Sequence, residues 1–267
     1  MVSISTLTTF SKNDIPLWGL VICSYAVYRY VICNFFLNKI SKMVRAKNET
    51  KFTHRFFDLI HYTSSAILGL ISLSPRPYFR CVFFAYGCRQ DLLQRPIYEC
   101  TILEKIYFMI FTAYYVIDIF YLFTNTSDVW TLAIHHVITL GMIFSSVFLC
   151  VPVLGLAIML LHDVVDVPLY FGKISSYLSF TRTKDISLLL FAVMCTWFRM
   201  INYPIIVYYA ITNTNQVTFL RNLYIPTWML LLGLYGCHIY WFIRILYAAI
   251  SIFTGQGEKA IRDNRSD

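Results

Sequence analysis

Two strongly apolar stretches, LAIHHVITLGM at 132–142 and IMLLHDVVDVPLY at 158–170, carry His135, His136, His162, Asp163 and Asp166 in their interiors. Burying such groups in hydrocarbon costs several kcal/mol each unless they pair or do chemistry. Three chemistries suit imidazoles beside carboxylates. As a metal site the set could bind Zn or Fe, although membrane iron oxygenases need far more histidine than the six of this chain. As an acid/base or nucleophilic site, the carboxylates would orient an imidazole, leaving its other nitrogen to take a proton or an acyl group. As a structural network, the five residues would lock two helices together. The acid/base or nucleophilic reading needs no metal and is preferred.

These residues have to be held by helices. His162 and Asp166 are four apart and Asp163 and Asp166 three apart, so all three are expected on one helical face. His135 and His136 are adjacent and project about 100° apart, which gives them different jobs. Little more than Cys150-Val151-Pro152 joins the two apolar spans that contain these stretches, so the spans form an antiparallel hairpin. Folding the chain about that turn sets residue 136 level with residue 165, and the five residues meet at one depth.

The whole chain points to a membrane. It has 267 residues, 58% hydrophobic and 13% charged, with a mean hydropathy of +0.62. A soluble domain would carry about twice that charge fraction. The expected fold is an all-α integral membrane protein, with spans near 15–38, 56–74, 102–124, 129–150, 152–171, 186–211 and 224–253. The fifth carries His162, Asp163 and Asp166 in its interior. The net charge of +8 does not point to nucleic acid, because the basic residues lie between apolar runs and form no binding module. Eleven Lys and Arg fall on one side and seven on the other, which favours a lumenal N-terminus and a cytosolic C-terminus. The loop at 75–101 mixes aromatics with arginines and is a candidate to dip back into the membrane. Cys81, Cys88 and Cys100 share that loop, where a disulfide could form. Asp118 and Arg199 are intramembrane and could pair with each other or touch the head of a lipid substrate. His61 reads as a helix-end or interfacial residue.

The sequence resembles the TLC-domain family and, within it, the ceramide synthases. The match rests on His135-His136 and on His162-Asp163-Val-Val-Asp166, with Lys173 and Tyr177 following. It extends through KFTHRFFDLIHY at 51–62, Asp128, Arg199 with Pro204, and the final span with His238 and Trp241. It divides the chain into an N-terminal segment with the first helix and a basic loop (1–50), a TLC-type domain (51–254) and a short tail (255–267).

The resemblance implies a ring of six helices around an acyl tunnel, plus one additional helix. It implies an endoplasmic-reticulum enzyme that transfers a fatty acyl group from acyl-CoA to the amine of a sphingoid base. No cofactor is expected beyond acyl-CoA as co-substrate. The partners it implies are acyl-CoA, a long-chain sphingoid base and membrane lipids, with a homodimer or a small regulatory subunit as further options. It makes His135 the acyl acceptor, His136 and His162 proton carriers, and Asp163 and Asp166 their orienters. Asp128, Lys173, Tyr177 and Arg199 become substrate-binding residues, and Lys173, Arg182 and Lys184 could meet the CoA phosphates. The alternative from another class is a non-catalytic TLC-domain lipid carrier, sensor or translocation accessory. A metal-dependent hydrolase such as a ceramidase ranks third.

Overall fold

The computed structural model describes residues 8–93, 99–125, 129–148, 152–212 and 221–253. Within them, seven helices are long and apolar enough to cross a membrane. They are α1 (Asp14–Ser41), α2 (Glu49–Leu73), α5 (Ile102–Asn125), α6 (Val129–Phe148), α7 (Pro152–Tyr177), α8 (Thr181–Thr212) and α9 (Arg221–Phe253). Two short helices, α3 (Phe79–Phe83) and α4 (Arg89–Leu93), lie between α2 and α5. Two-residue strands β1 (Thr8–Thr9) and β2 (Glu99–Cys100) pair antiparallel, with Thr8 opposite Cys100. The chain is an all-α multi-pass membrane protein, as its hydropathy requires, because a helix satisfies every backbone polar group within itself.

Packing runs from α2 to α5, α6, α9, α8 and α7, and α7 returns to α2, while α1 lies against α5. Glycines permit two of the close approaches. A Cβ on Gly69 would sit 2.9 Å from Leu160 of α7 and from Tyr107 of α5. A Cβ on Gly155 would sit 2.7 Å from Ser146 Oγ, which sets α6 and α7 in the expected antiparallel register.

The fifth span corrects its expected limits. It runs 26 residues, through Pro168 to Tyr177, and is the most deeply buried of the seven. Its Asp and Lys residues depress local hydropathy, yet they face protein rather than lipid, so the helix continues past the point where hydropathy falls.

The loop between α2 and α5 is anchored to the bundle. Cys81 and Cys88 form a disulfide that leaves out Cys100, and Cys81, Val82 and Ala85 are buried. Asn202 of α8 donates to Phe83 O at 2.6 Å, and the Ala85 amide donates back to Asn202 Oδ1 at 3.3 Å. Irregular backbone buried against the bundle needs such partners. Glu104 closes the latch, accepting from Tyr78 Oη at 2.6 Å and from the Thr101 amide at 2.7 Å, with Arg76 at 3.1 Å. Burial, and then the Glu104 carboxylate, push the Tyr78 hydroxyl above the ordinary tyrosine range, so it remains a donor.

Candidate functional site

A cavity of about 530 Å³ occupies the opposite end of the bundle, where α2 begins and where α5, α7 and α9 run out. Its inner wall includes Asp118, His135, His136, Asp166, Arg199 and His238. Lys51, Arg55, Lys173, Tyr177 and Arg244 line it closer to the helix ends. The helical hairpin thus delivers the histidines of α6 and Asp166 of α7 to one space.

The two adjacent histidines are held differently. Both ring nitrogens of His136 face acceptors: Nδ1 lies 2.8 Å from Leu132 O, and Nε2 lies 3.0 Å from Asp118 Oδ2. The other carboxylate oxygen of Asp118 forms an ion pair with Arg29, whose Nη1 lies 2.8 Å away. His136 is therefore fixed, with neither nitrogen open. His135 packs edge-on against Trp241, with ring centroids 5.0 Å apart, and its Nδ1 has no hydrogen-bond partner. His135 also lines the cavity, and a buried ring nitrogen left without a partner beside a cavity is a feature expected of a group that works on a ligand.

His162 and His238 form a second pair, Nε2 to Nε2 at 2.8 Å. His162 Nδ1 lies 2.7 Å from Ile158 O and must donate to it. In the neutral ring its Nε2 then accepts from His238, leaving His238 Nδ1 as an acceptor without a partner. Such a pair can pass a proton from one ring to the next.

The carboxylates of α7 do not orient the imidazoles as expected. Asp166 Oδ1 binds Arg199 Nη2 at 2.7 Å. Asp163 Oδ2 accepts from Ser65 Oγ of α2 and Tyr107 Oη of α5, each at 2.6 Å, and is absent from the cavity wall. The reason is angular. His162, Asp166 and Asp163 span about 100° of the helix, enough to aim at three different neighbours. Asp118 takes the orienting position beside His136. The expected pairing of Asp118 with Arg199 is replaced by Arg29 with Asp118 and Asp166 with Arg199.

Lys173 lies on the cavity wall with its Nζ 4.7 Å from the centre of the Tyr170 ring, and Tyr177 packs edge-on against Phe52. Asp128 lies outside the described residues. His61 is buried in the middle of α2, 2.9 Å from Tyr25 Oη and stacked on Tyr114 at 3.8 Å, rather than at a helix end. The sequence reading gave Arg29 and Arg55 no role and left His238 without a partner. The signal for Arg29 was present, a charge in the centre of an apolar run.

Residues 51–247 match the TLC domain family. Ceramide synthase LOH1 of Arabidopsis thaliana is 26% identical over 284 residues, covering 96% of this chain and 91% of the relative. Ceramide synthase 1 LOH3 of the same plant is 27% identical over 235 residues, covering 84% of this chain and 75% of the relative. Human ceramide synthase 1 is 32% identical over 149 residues, 51% of this chain and 42% of the relative.

Proposed function

The chain belongs to the TLC-domain family, and from that premise we propose that it is an acyl-CoA-dependent N-acyltransferase acting on a sphingoid base in the endoplasmic-reticulum membrane. One observation carries the reading: His135, whose buried Nδ1 has no hydrogen-bond partner, lines a cavity whose outer wall bears Lys51, Arg55 and Lys173. The cations suit the phosphates of CoA. They also stand at the end opposite the disulfide, which supports a cytosolic mouth and a lumenal N-terminus.

A ring nitrogen of His135 attacks the thioester carbonyl, the carbon–sulfur bond breaks, and CoA leaves as the thiol with the proton that the other nitrogen of the His135 ring carried. The amine then attacks the acyl-imidazole, the carbon–nitrogen bond to His135 breaks, and the amide departs. The amine gives up its proton to an imidazole, for which the His162–His238 pair offers the unpartnered His238 Nδ1, and the departing His135 ring takes one proton back, which restores the starting state. Asp166, paired with Arg199, would meet the polar head of the base.

An apolar gap of about 20 Å³ leads from His162 between Met142, Ile143 and Met159. It has room for about one water. The acyl chain would follow it by displacing the flexible methionines, and the closed order of six helices suits a tunnel.

Purified protein supplied with acyl-CoAs of several lengths and sphinganine should yield N-acyl product by mass spectrometry, and His135→Ala should yield none. Acyl-CoA alone should leave an acyl group on the wild-type protein. Absence of product from folded wild type at every chain length would overturn the reading in favour of a lipid carrier.

A further inference from the structure

Arg29 lies in α1, outside the segment that matches the TLC domain, and its side chain is 1% exposed. A membrane anchor has no use for a buried guanidinium, and one facing lipid would extend toward the interface. Arg29 turns inward instead. Its guanidinium lies 4.1 Å from the centre of the Tyr121 ring and 4.9 Å from that of Phe57, with Nη1 2.8 Å from Asp118 Oδ1. Asp118 is thereby divided between two partners, the cation of α1 and the imidazole of His136 on α6.

That division has a physical consequence. A carboxylate on a single side chain can rotate, and one hydrogen bond to an imidazole fixes neither ring nor carboxylate. Holding the second oxygen removes that freedom. In catalytic triads a carboxylate orients the imidazole; here the carboxylate is itself oriented, from a different helix. His136 in turn lies against His135, with ring centroids 5.7 Å apart.

We infer that Arg29 is a positioning residue: α1 delivers the cation that holds Asp118, Asp118 holds His136, and the set keeps the site around His135 in its working geometry. Its effect on rate rests on the acyltransferase reading, whereas the positioning itself does not. The first helix is then part of the site rather than a tether for the domain.

The test uses full-length protein in detergent and two readouts. Diethyl pyrocarbonate acylates imidazole nitrogens that are accessible and unbonded, and peptide mass spectrometry locates the adducts. In wild type, His135 should react and His136 should resist. Asp118→Leu frees His136 and calibrates full reactivity. Arg29→Met should raise the His136 rate about tenfold and lower the melting temperature, because it breaks a buried ion pair, with His135 reactivity little changed. Arg29→Lys keeps the charge without the fork, folds where the Met variant does not, and should restore most of the protection.

In the acyltransferase assay, Arg29→Met should lower kcat about tenfold and leave KM for acyl-CoA unchanged, with partial rescue by Lys. Were His136 as protected in Arg29→Met as in wild type while Asp118→Leu exposes it, Asp118 alone would suffice and the inference would fall. A wild type without turnover would sink the acyltransferase reading, yet the labelling would still decide the role of Arg29.

Discussion

Where α7 begins, Gly155 lies so close to α6 that an added Cβ would sit 2.7 Å from Ser146 Oγ; where it ends, Lys173 and Tyr177 line a cavity of about 530 Å³. The same contrast holds for charge. At the first end Arg76 is neutralised by Glu104, and Arg80 by Asp91 at 2.7 Å, and the Cys81–Cys88 disulfide pins the loop between them. At the second, Lys51 and Lys173 form no ion pair among the described residues. One end closes the bundle and leaves few polar groups unanswered. The other keeps cations and a histidine nitrogen available, which costs stability and gives a ligand something to bind. Asp163 belongs to the closed end in function although it adjoins His162, because both its hydroxyl partners come from neighbouring helices.

The contrast can be broken at either end. The largest effect is expected at the open end: His135→Ala should cut N-acyl product by about a thousandfold or more, as for loss of a nucleophile, while thermal unfolding followed by fluorescence stays near that of wild type. Next comes Asp163→Ala, which strands the Ser65 and Tyr107 hydroxyls. It should cost about 3 kcal/mol of stability, with turnover per folded molecule largely kept. A large loss of turnover at unchanged stability would move Asp163 into the chemistry. Gly155→Val should overpack the α6–α7 contact and cost about 2 kcal/mol, read as a lower midpoint in the same melt. The smallest effect is at the mouth. Lys173→Ala should raise KM for acyl-CoA about threefold at low salt, and the difference should fade at about 1 M salt, where surface charge is screened.

Seven spans, the α6–α7 hairpin and the convergence of His135, His136 and Asp166 were legible, because hydropathy and helical periodicity are local properties of the chain. The pairings were not. His136 meets Asp118 across 18 residues and His162 meets His238 across 76, and no local pattern encodes which neighbour a buried imidazole faces. The helical wheel rightly grouped His162, Asp163 and Asp166, but a wheel does not resolve their targets when helices surround α7 on several sides. Arg29 escaped because its apolar run fits an anchor equally well. His61 misled for the opposite reason: a polar residue near the start of a span reads as interfacial until a tyrosine partner appears.

The π-helical stretch Cys195–Asn202 within α8 carries Arg199 and Asn202, which reach α7 and the loop after α2. A π turn holds an extra residue relative to an α turn. In descent, it behaves as a tolerated insertion: a relative lacking one residue here would keep both flanking helical segments aligned. It would nonetheless rotate Arg199 relative to Asn202 and separate the ion pair to Asp166 from the contact to Phe83. A single-residue gap in an otherwise continuous span is therefore a more informative difference between relatives than a substitution at either position.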